Sequence, residues 1–75
     1  MTEINAAPPY IKLEQFLKLC GIADTGGMAK MMIQDGIVEV NGEVCLMRGK
    51  KIRGKDVISV NFEEGTEEFL CLMEK

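Results

Sequence analysis

The chain has 75 residues, 47% of them hydrophobic, and a formal net charge of −3 at pH 7. This length allows one small domain with a thin core, and the apolar content is too high for a disordered tail. No apolar run approaches the ~20 residues that a membrane-spanning helix needs. The segment from Met1 to Pro9 lacks the basic and apolar regions of a secretory signal, so we expect a cytoplasmic protein.

Residues that commonly carry catalysis or bind metals are scarce. The chain has no histidine and a single serine, Ser59, so neither a Ser–His nor a Cys–His pair can form. Cys20, Cys45 and Cys71 are far apart, and each lies in apolar sequence. We therefore expect reduced thiols that pack as small hydrophobic side chains, with no metal site, no cofactor, no small-molecule substrate and no enzymatic activity.

The N-terminal third of the chain predicts a short lead-in followed by a helix. Met1 to Pro9 is expected to be flexible, because its two consecutive prolines cannot continue a helix. Residues 10–75 are expected to form the single domain, and Tyr10 and Ile11 favour a short edge strand. Apolar residues then recur at positions i, i+3, i+4 and i+7 from Leu13 to Cys20, which predicts the first helix.

A second, shorter helix is predicted from about Gly27 to Asp35. Thr25 is placed to cap its first turn, and Gly36 is typical of the left-handed residue that follows a helix. Met31 lies off the main apolar stripe of this helix. We expect it to pack on the first helix, with a position beside a basic surface as the alternative.

The period of the apolar residues changes to two at Ile37, which predicts strands near 37–40, 43–46, 56–62 and 68–73. Asn41-Gly42 is a strong signal for a tight hairpin turn between the first two strands. Phe16, Phe62 and Phe69 are interpreted as core residues. The predicted fold class is α+β, with two short helices packed on one face of a small antiparallel sheet of three to four strands.

The two helix segments together carry a family resemblance. The sequence K-L-E-Q-F-L-K-L-C-G-I, followed by T-G-G-M-A-K-M-M-I-Q-D-G-I-V-E-V-N-G, resembles the S4 RNA-binding domain, also called the alpha-L motif. It is most similar to the small free-standing bacterial members of the YaaA/YbcJ type, over about residues 10–60. The resemblance implies a structured RNA partner, ribosomal or transfer RNA, and a role in ribosome assembly or translation.

A basic segment lies between the second and third of the predicted strands. It holds five of the nine basic residues within eight positions that contain no acid: Arg48, Lys50, Lys51, Arg53 and Lys55. Cations beside glycines suit contacts with phosphate groups, although a loop of this composition can also serve solubility alone. In the S4 family the corresponding loop ends in a Gly-Asp pair, whereas Lys55 separates Gly54 from Asp56 here.

The start of the second helix is a second candidate phosphate site. Thr25, Gly26 and Gly27 leave backbone amides uncovered, and such amides attract anions through hydrogen bonds and the helix dipole. An ordinary capped turn is the alternative interpretation. Many S4 domains carry arginines where Gly26 and Lys30 stand, so the resemblance implies an RNA contact for Lys30 but not for a side chain at 26. It also implies a contact for Lys12, before the first helix.

Two further expectations concern the type of recognition. Tyr10 is the only aromatic residue expected to be exposed, so few aromatic side chains can stack on bases. We therefore expect recognition by RNA shape and phosphate geometry. The alternative function is a protein-interaction module or a homodimer. In that case the apolar strand from Phe69 to Met73, which follows the acidic stretch Glu63–Glu68, would be a sheet edge to which a partner strand adds.

Overall fold

A computed structural model describes residues 1–73 as two helices and seven strands. Their bounds are β1 (Thr2–Asn5), β2 (Ile11–Lys12), α1 (Leu13–Leu19), α2 (Gly26–Gln34), β3 (Val38–Val40), β4 (Glu43–Val44), β5 (Lys51–Ile52), β6 (Val57–Phe62) and β7 (Gly65–Leu72).

The main sheet has five strands in the order β1-β7-β6-β3-β4, and β2 pairs with β5 in a separate two-stranded ladder. The predicted α+β class is confirmed. The expected three to four antiparallel strands are too few, and the sheet is mixed because β1 runs parallel to β7. The additional strands are short and carry few apolar residues, so their sequences show little of the alternation that identifies a strand.

The largest departure from the sequence prediction lies at the N-terminus. Thr2–Asn5 was expected to belong to a flexible lead-in, but it forms β1, whose residues pair in register from Thr2 with Phe69 to Asn5 with Leu72. Ile4 is half-buried and packs against the core. Because β1 covers β7 along Phe69–Leu72, this segment is not a sheet edge, and the premise of the protein-interaction alternative is wrong.

Both helices occur where the sequence predicts them, within about a residue at each end. α1 buries Leu13, Phe16 and Leu17, and α2 buries Ala29, Met32 and Ile33. The predicted cap is confirmed, since the Thr25 hydroxyl accepts a hydrogen bond of 3.1 Å from the backbone N–H of Met28. Gly36 follows α2 with a φ of 78°, which is the left-handed conformation expected there.

The sheet residues that face the helices complete the core. Val38 pairs with Val60, and Val40 pairs with Ile58, and all four side chains are buried. Asn41 and Gly42 have φ values of 52° and 86°. Two consecutive positive φ values are the signature of the tight hairpin turn that the sequence predicts at this point.

Two apolar side chains lie at the surface instead of in the core. Met31 is 64% exposed on the outer face of α2, and Phe62 is 38% exposed where β6 meets the turn to β7. Both predictions of burial are wrong. The helix period places Met31 away from α1, and Phe62 is the last residue of its strand, beyond the area that the helices cover. Phe16 and Phe69 are buried as predicted.

Candidate nucleic-acid interface

The first half of the basic segment is fixed to the start of α1 by backbone hydrogen bonds. Lys12 stands at the N-cap position of α1 but gives no side-chain cap. Carbonyl oxygens of the basic segment cap the helix instead. The N–H of Leu13 donates to the carbonyl oxygen of Lys50 at 2.8 Å, and the N–H of Glu14 donates to that of Arg48 at 3.1 Å. Two helix amides that would otherwise lack partners therefore hold the basic segment in place.

The same region contains a strand pair that the sequence analysis missed. Residues 47–55 were expected to form a loop, but Lys51–Ile52 forms β5 and pairs antiparallel with β2, placing Lys12 opposite Lys51. Ile52 is fully buried. A single apolar residue among four cations was the available signal, and it is too short to show strand periodicity.

Tyr10 is exposed, as predicted, and its ring contacts a cation of the basic segment. The Lys51 Nζ lies 5.0 Å from the centre of the Tyr10 ring. This distance is within the range of a cation–π interaction, which is worth about 0.5–1 kcal/mol at an exposed site. Tyr10 thus restrains the orientation of the Lys51 side chain.

The second half of the basic segment is held by a network centred on Asp56. One carboxylate oxygen accepts from the N–H of Arg53 at 2.8 Å, and the other accepts from the side-chain amide of Asn41 at 3.1 Å. The Asn41 side-chain carbonyl accepts in turn from the N–H of Val57 at 2.9 Å. The turn of the β3–β4 hairpin therefore supports the basic segment, a connection across fifteen positions that the sequence did not indicate.

The lysine that departs from the family pattern adopts an unusual backbone conformation. Lys55 has a φ of 73°, in the left-handed region that glycine usually occupies. Its N–H donates to the carbonyl oxygen of Cys71 at 2.7 Å, which ties the end of the basic segment to β7. The fold thus accommodates Lys55 through a single left-handed residue, and the pairing of β6 with β7 continues beyond it.

The structure brings together some of the predicted site residues: Arg53 lines one groove with Lys50 and Lys51, whereas Lys55 lies beside Leu72 and Met73. The side chains of Lys12 and of all five basic-segment cations are exposed, and Lys12, Arg48, Lys50 and Lys51 surround the start of α1. We call these six cations the basic face: Lys12, Arg48, Lys50, Lys51, Arg53 and Lys55.

The remaining predicted residues, Thr25, Gly26, Gly27 and Lys30, lie at the start of α2. Among residues 1–73, no described hydrogen bond joins them to the basic segment. A Cβ added at Gly26 would meet no atom within 4 Å, and one at Gly27 would meet only the Thr25 hydroxyl at 3.9 Å. Neither glycine is therefore required by the packing of the fold.

An exposed apolar patch, which the sequence did not indicate, borders the basic face. Val44, Leu46 and Met47 are 58%, 62% and 67% exposed. They line an open groove of about 560 Å³ together with cations that include Lys50, Lys51 and Arg53. The predicted strand 43–46 placed Val44 and Leu46 within a sheet and Met47 in the loop that follows, but β4 ends at Val44 and leaves Leu46 outside the sheet as well.

Two of the three cysteines, Cys20 and Cys71, lie in surroundings that disfavour a reactive thiolate. All three are free thiols, with Cys71 buried and Cys20 and Cys45 half-buried. Burial raises the pKa of Cys20 to about 12, with a smaller contribution from the nearby Cys71, and burial likewise raises the pKa of Cys71. Both thiols are protonated at neutral pH, and a protonated thiol is a poor nucleophile and metal ligand.

Comparison with known proteins places this fold in a family. A family model described as the S4 domain matches residues 3–66. The chain belongs to the S4 domain family. It is also 42% identical over 57 residues to a Bacillus subtilis protein, "Probable ribosome maturation protein RlbA", and the match covers 76% of this chain and 80% of the relative. Neither helix within residues 1–73 of this S4 domain protein is long and apolar enough to cross a membrane.

Proposed function

We propose that this S4 domain protein is a non-enzymatic RNA-binding module that acts in ribosome maturation. Membership of the S4 family supports RNA binding. The name of the Bacillus subtilis relative, a probable ribosome maturation protein, supports a role in that process. Ribosomal RNA is therefore the preferred partner, and transfer RNA is the alternative that the family resemblance leaves open. The basic face contacts phosphates of a folded RNA.

The observation that carries this proposal is the way the start of α1 holds the basic segment. The carbonyl oxygens of Arg48 and Lys50 cap the helix, and the β2–β5 pair places Lys12 opposite Lys51. Like charges at paired positions destabilise a fold unless something offsets their repulsion. A binding surface for a polyanion explains why the chain keeps these cations together on fixed backbone.

The start of α2 supplies a second contact in this proposal. A Cβ at Gly26 or Gly27 would meet no close neighbour, so there is room beside these residues for a phosphate oxygen to approach the amides. Lys30 lies one turn further along α2 and adds a charge. Contacts of this kind position a protein on RNA without reading its sequence, so selectivity has to come from the shape of the RNA.

The test is fluorescence anisotropy with a ribosomal RNA fragment, total transfer RNA and duplex DNA, from about 50 to 200 mM salt. Lys50→Glu/Lys51→Glu should weaken binding to structured RNA at least ten-fold, and the slope of log affinity against log salt should become shallower by about two. A control with the same change in net charge is Lys18→Glu/Gln34→Glu/Asn5→Asp, at exposed positions outside the basic face.

The control separates a local effect from a general charge effect. Each variant moves the formal net charge from −3 to −7, since a Lys→Glu change contributes −2 and a Gln→Glu or Asn→Asp change contributes −1. Equal losses in both variants would mean that only overall charge matters. Failure of the folded wild type to bind any RNA at low salt would contradict the proposed function itself.

A further inference from the structure

The apolar patch beside the basic face lies outside the hydrophobic core of the described residues. Val44, Leu46 and Met47 each expose more than half of their surface, although a chain this small has few large apolar side chains to spare for its core. Val44 lies in β4, which is the edge strand of the main sheet. Contiguous apolar surface of this kind commonly marks a binding site.

The groove that contains the patch is lined by both apolar and charged side chains. Val44, Leu46 and Met47 are among its lining residues, and so are the cations Lys50, Lys51 and Arg53. Asp56 and the exposed Glu43 line it as well, so three cations face two carboxylates. Both carboxylate oxygens of Asp56 already accept hydrogen bonds, from Arg53 and Asn41. The chemistry of the groove therefore suits an occupant with an apolar face and an adjacent negative charge.

A nucleotide combines these two properties within one unit, since its base has flat apolar faces and its phosphate is an anion. A base in a regular duplex is stacked on both faces and cannot present one to a protein, whereas an unpaired base can. Methionine suits such a contact, because its flexible and polarisable side chain adapts to a flat surface. The groove volume of about 560 Å³ lies within the usual range of about 300–1,000 Å³ for ligand sites.

We propose, resting on the RNA-binding function proposed above, that this groove seats an unpaired nucleotide that adjoins a helical segment of the RNA. The base lies on Leu46 and Met47, and the neighbouring phosphates lie on Lys50 and Lys51. An acidic peptide with an apolar face shares part of this chemistry. The nucleotide is favoured because the groove cations belong to the basic face, so one RNA strand occupies both without a second partner.

The consequence for recognition is a preference for interrupted helices. Phosphate contacts alone do not distinguish a continuous helix from one with a bulge, whereas a seated base does so. The preference is limited by the small area that one base can bury. Burying part of one base against two apolar side chains should favour a bulged RNA over the matched continuous helix by about ten-fold.

The test uses two RNA hairpins that differ only in one bulged nucleotide, the fluorescent adenine analogue 2-aminopurine. The wild type should bind the bulged hairpin about ten-fold more tightly and should change the fluorescence of the bulged base. Leu46→Ser/Met47→Ser should bind both hairpins equally, with unchanged affinity for the continuous one. Leu19→Ser/Phe62→Ser, which alters two other exposed apolar residues, should keep the wild-type preference.

Different failures point to different errors. Equal binding of both hairpins by the wild type, or a preserved preference in Leu46→Ser/Met47→Ser, would overturn the seated nucleotide while leaving RNA binding intact. In that case the patch would be left to a protein partner. A wild type that binds neither hairpin would contradict the proposed function as well. If the double variant does not fold, the single variants Leu46→Ser and Met47→Ser, each of which removes one of the two contacts with the base, provide the same comparison.

Discussion

The two ends of strand β6 carry opposite charge and are built differently. The basic segment, with five cations between Arg48 and Lys55, precedes the strand, and Glu63, Glu64, Glu67 and Glu68 surround the turn that follows it. The six residues of β6 separate these ends by about 20 Å. An RNA attracted to one end is therefore repelled by the other, which restricts how the protein can approach it.

The difference in construction is as informative as the difference in charge. The basic segment is tied by hydrogen bonds to α1, to the β3–β4 turn and to β7. The acidic end is a simple hairpin, in which Gly65–Glu68 pairs with β6 alone and is exposed, because β1 reaches only to Phe69. Cations on a fixed backbone suit binding in a defined geometry. Solvated carboxylates suit solubility and the repulsion of RNA.

The largest expected effect comes from removing the apolar anchor of the basic segment. Ile52→Ala deletes a fully buried side chain and should lower the free energy of unfolding by about 2–5 kcal/mol, as measured by urea denaturation. RNA affinity should fall with it, because β5 holds Lys51 beside Lys12. A variant of unchanged stability would show that the segment does not depend on this anchor.

Asp56→Ala tests whether geometry outweighs charge at the basic end. The substitution leaves the N–H of Arg53 and the amide of Asn41 without their acceptor, which should cost about 1–3 kcal/mol of stability. RNA binding should weaken, although a negative charge has been removed from a basic surface. Glu67→Ala makes the same charge change at the acidic end, where stability should hardly change and RNA affinity should rise slightly. Tighter binding by Asp56→Ala would mean that charge alone decides.

Lys55→Gly should separate stability from binding. Glycine adopts the φ of 73° found at this position without the steric cost of a side chain, so the free energy of unfolding should rise by about 1 kcal/mol. The loss of one phosphate contact should make the salt slope of RNA binding shallower by about one. A stabilised variant with an unchanged salt slope would remove Lys55 from the interface.

Gly27→Ala applies the same separation to the start of α2. The added methyl group meets no close neighbour, and alanine favours helix more than glycine by up to about 1 kcal/mol, so stability should rise slightly. If a phosphate lies against these amides, the methyl group should weaken RNA binding several-fold. Stabilisation with unchanged affinity would reduce this feature to a capped turn.

The smallest expected effect concerns pH. The chain has no histidine, and burial raises the pKa of Cys20 to about 12, so RNA affinity should change less than about two-fold between pH 6 and 8. Through this thiol, the free energy of unfolding should depend on pH in one direction only. The unfolded thiol ionises near its usual pKa of 9.0 and the folded one does not, so urea denaturation should show that stability falls from pH 9 towards 12.

Local signals predicted the parts of this fold that local interactions decide. The Thr25 cap, Gly36 after α2 and the Asn41-Gly42 turn each depend on a few neighbouring residues, and each is confirmed. β1 and β5 depend on partners far along the chain. A strand of two to four residues with one apolar side chain gives no periodicity from which to infer it.

The candidate site also has features that the sequence shows and features that it does not. The density of cations from Arg48 to Lys55 is visible in the sequence, and the proposed contacts with RNA remain predictions. What the sequence could not show is the support beneath them, since the Asn41–Asp56 network and the caps on α1 join residues distant in the chain. The patch at Leu46 and Met47 was not predicted, because apolar residues that follow a hairpin turn favour a strand at Leu46, and Met47 was assigned to the basic loop.

The pairing of β1 with β7 also sets an order for the folding of this domain during synthesis. Thr2 leaves the ribosome 67 positions before its partner Phe69. Closing so long a loop carries the largest entropic cost among these pairings. Strand β1 must therefore wait until β7 has emerged, and it should be the last strand to dock and the first to exchange its amide hydrogens with solvent.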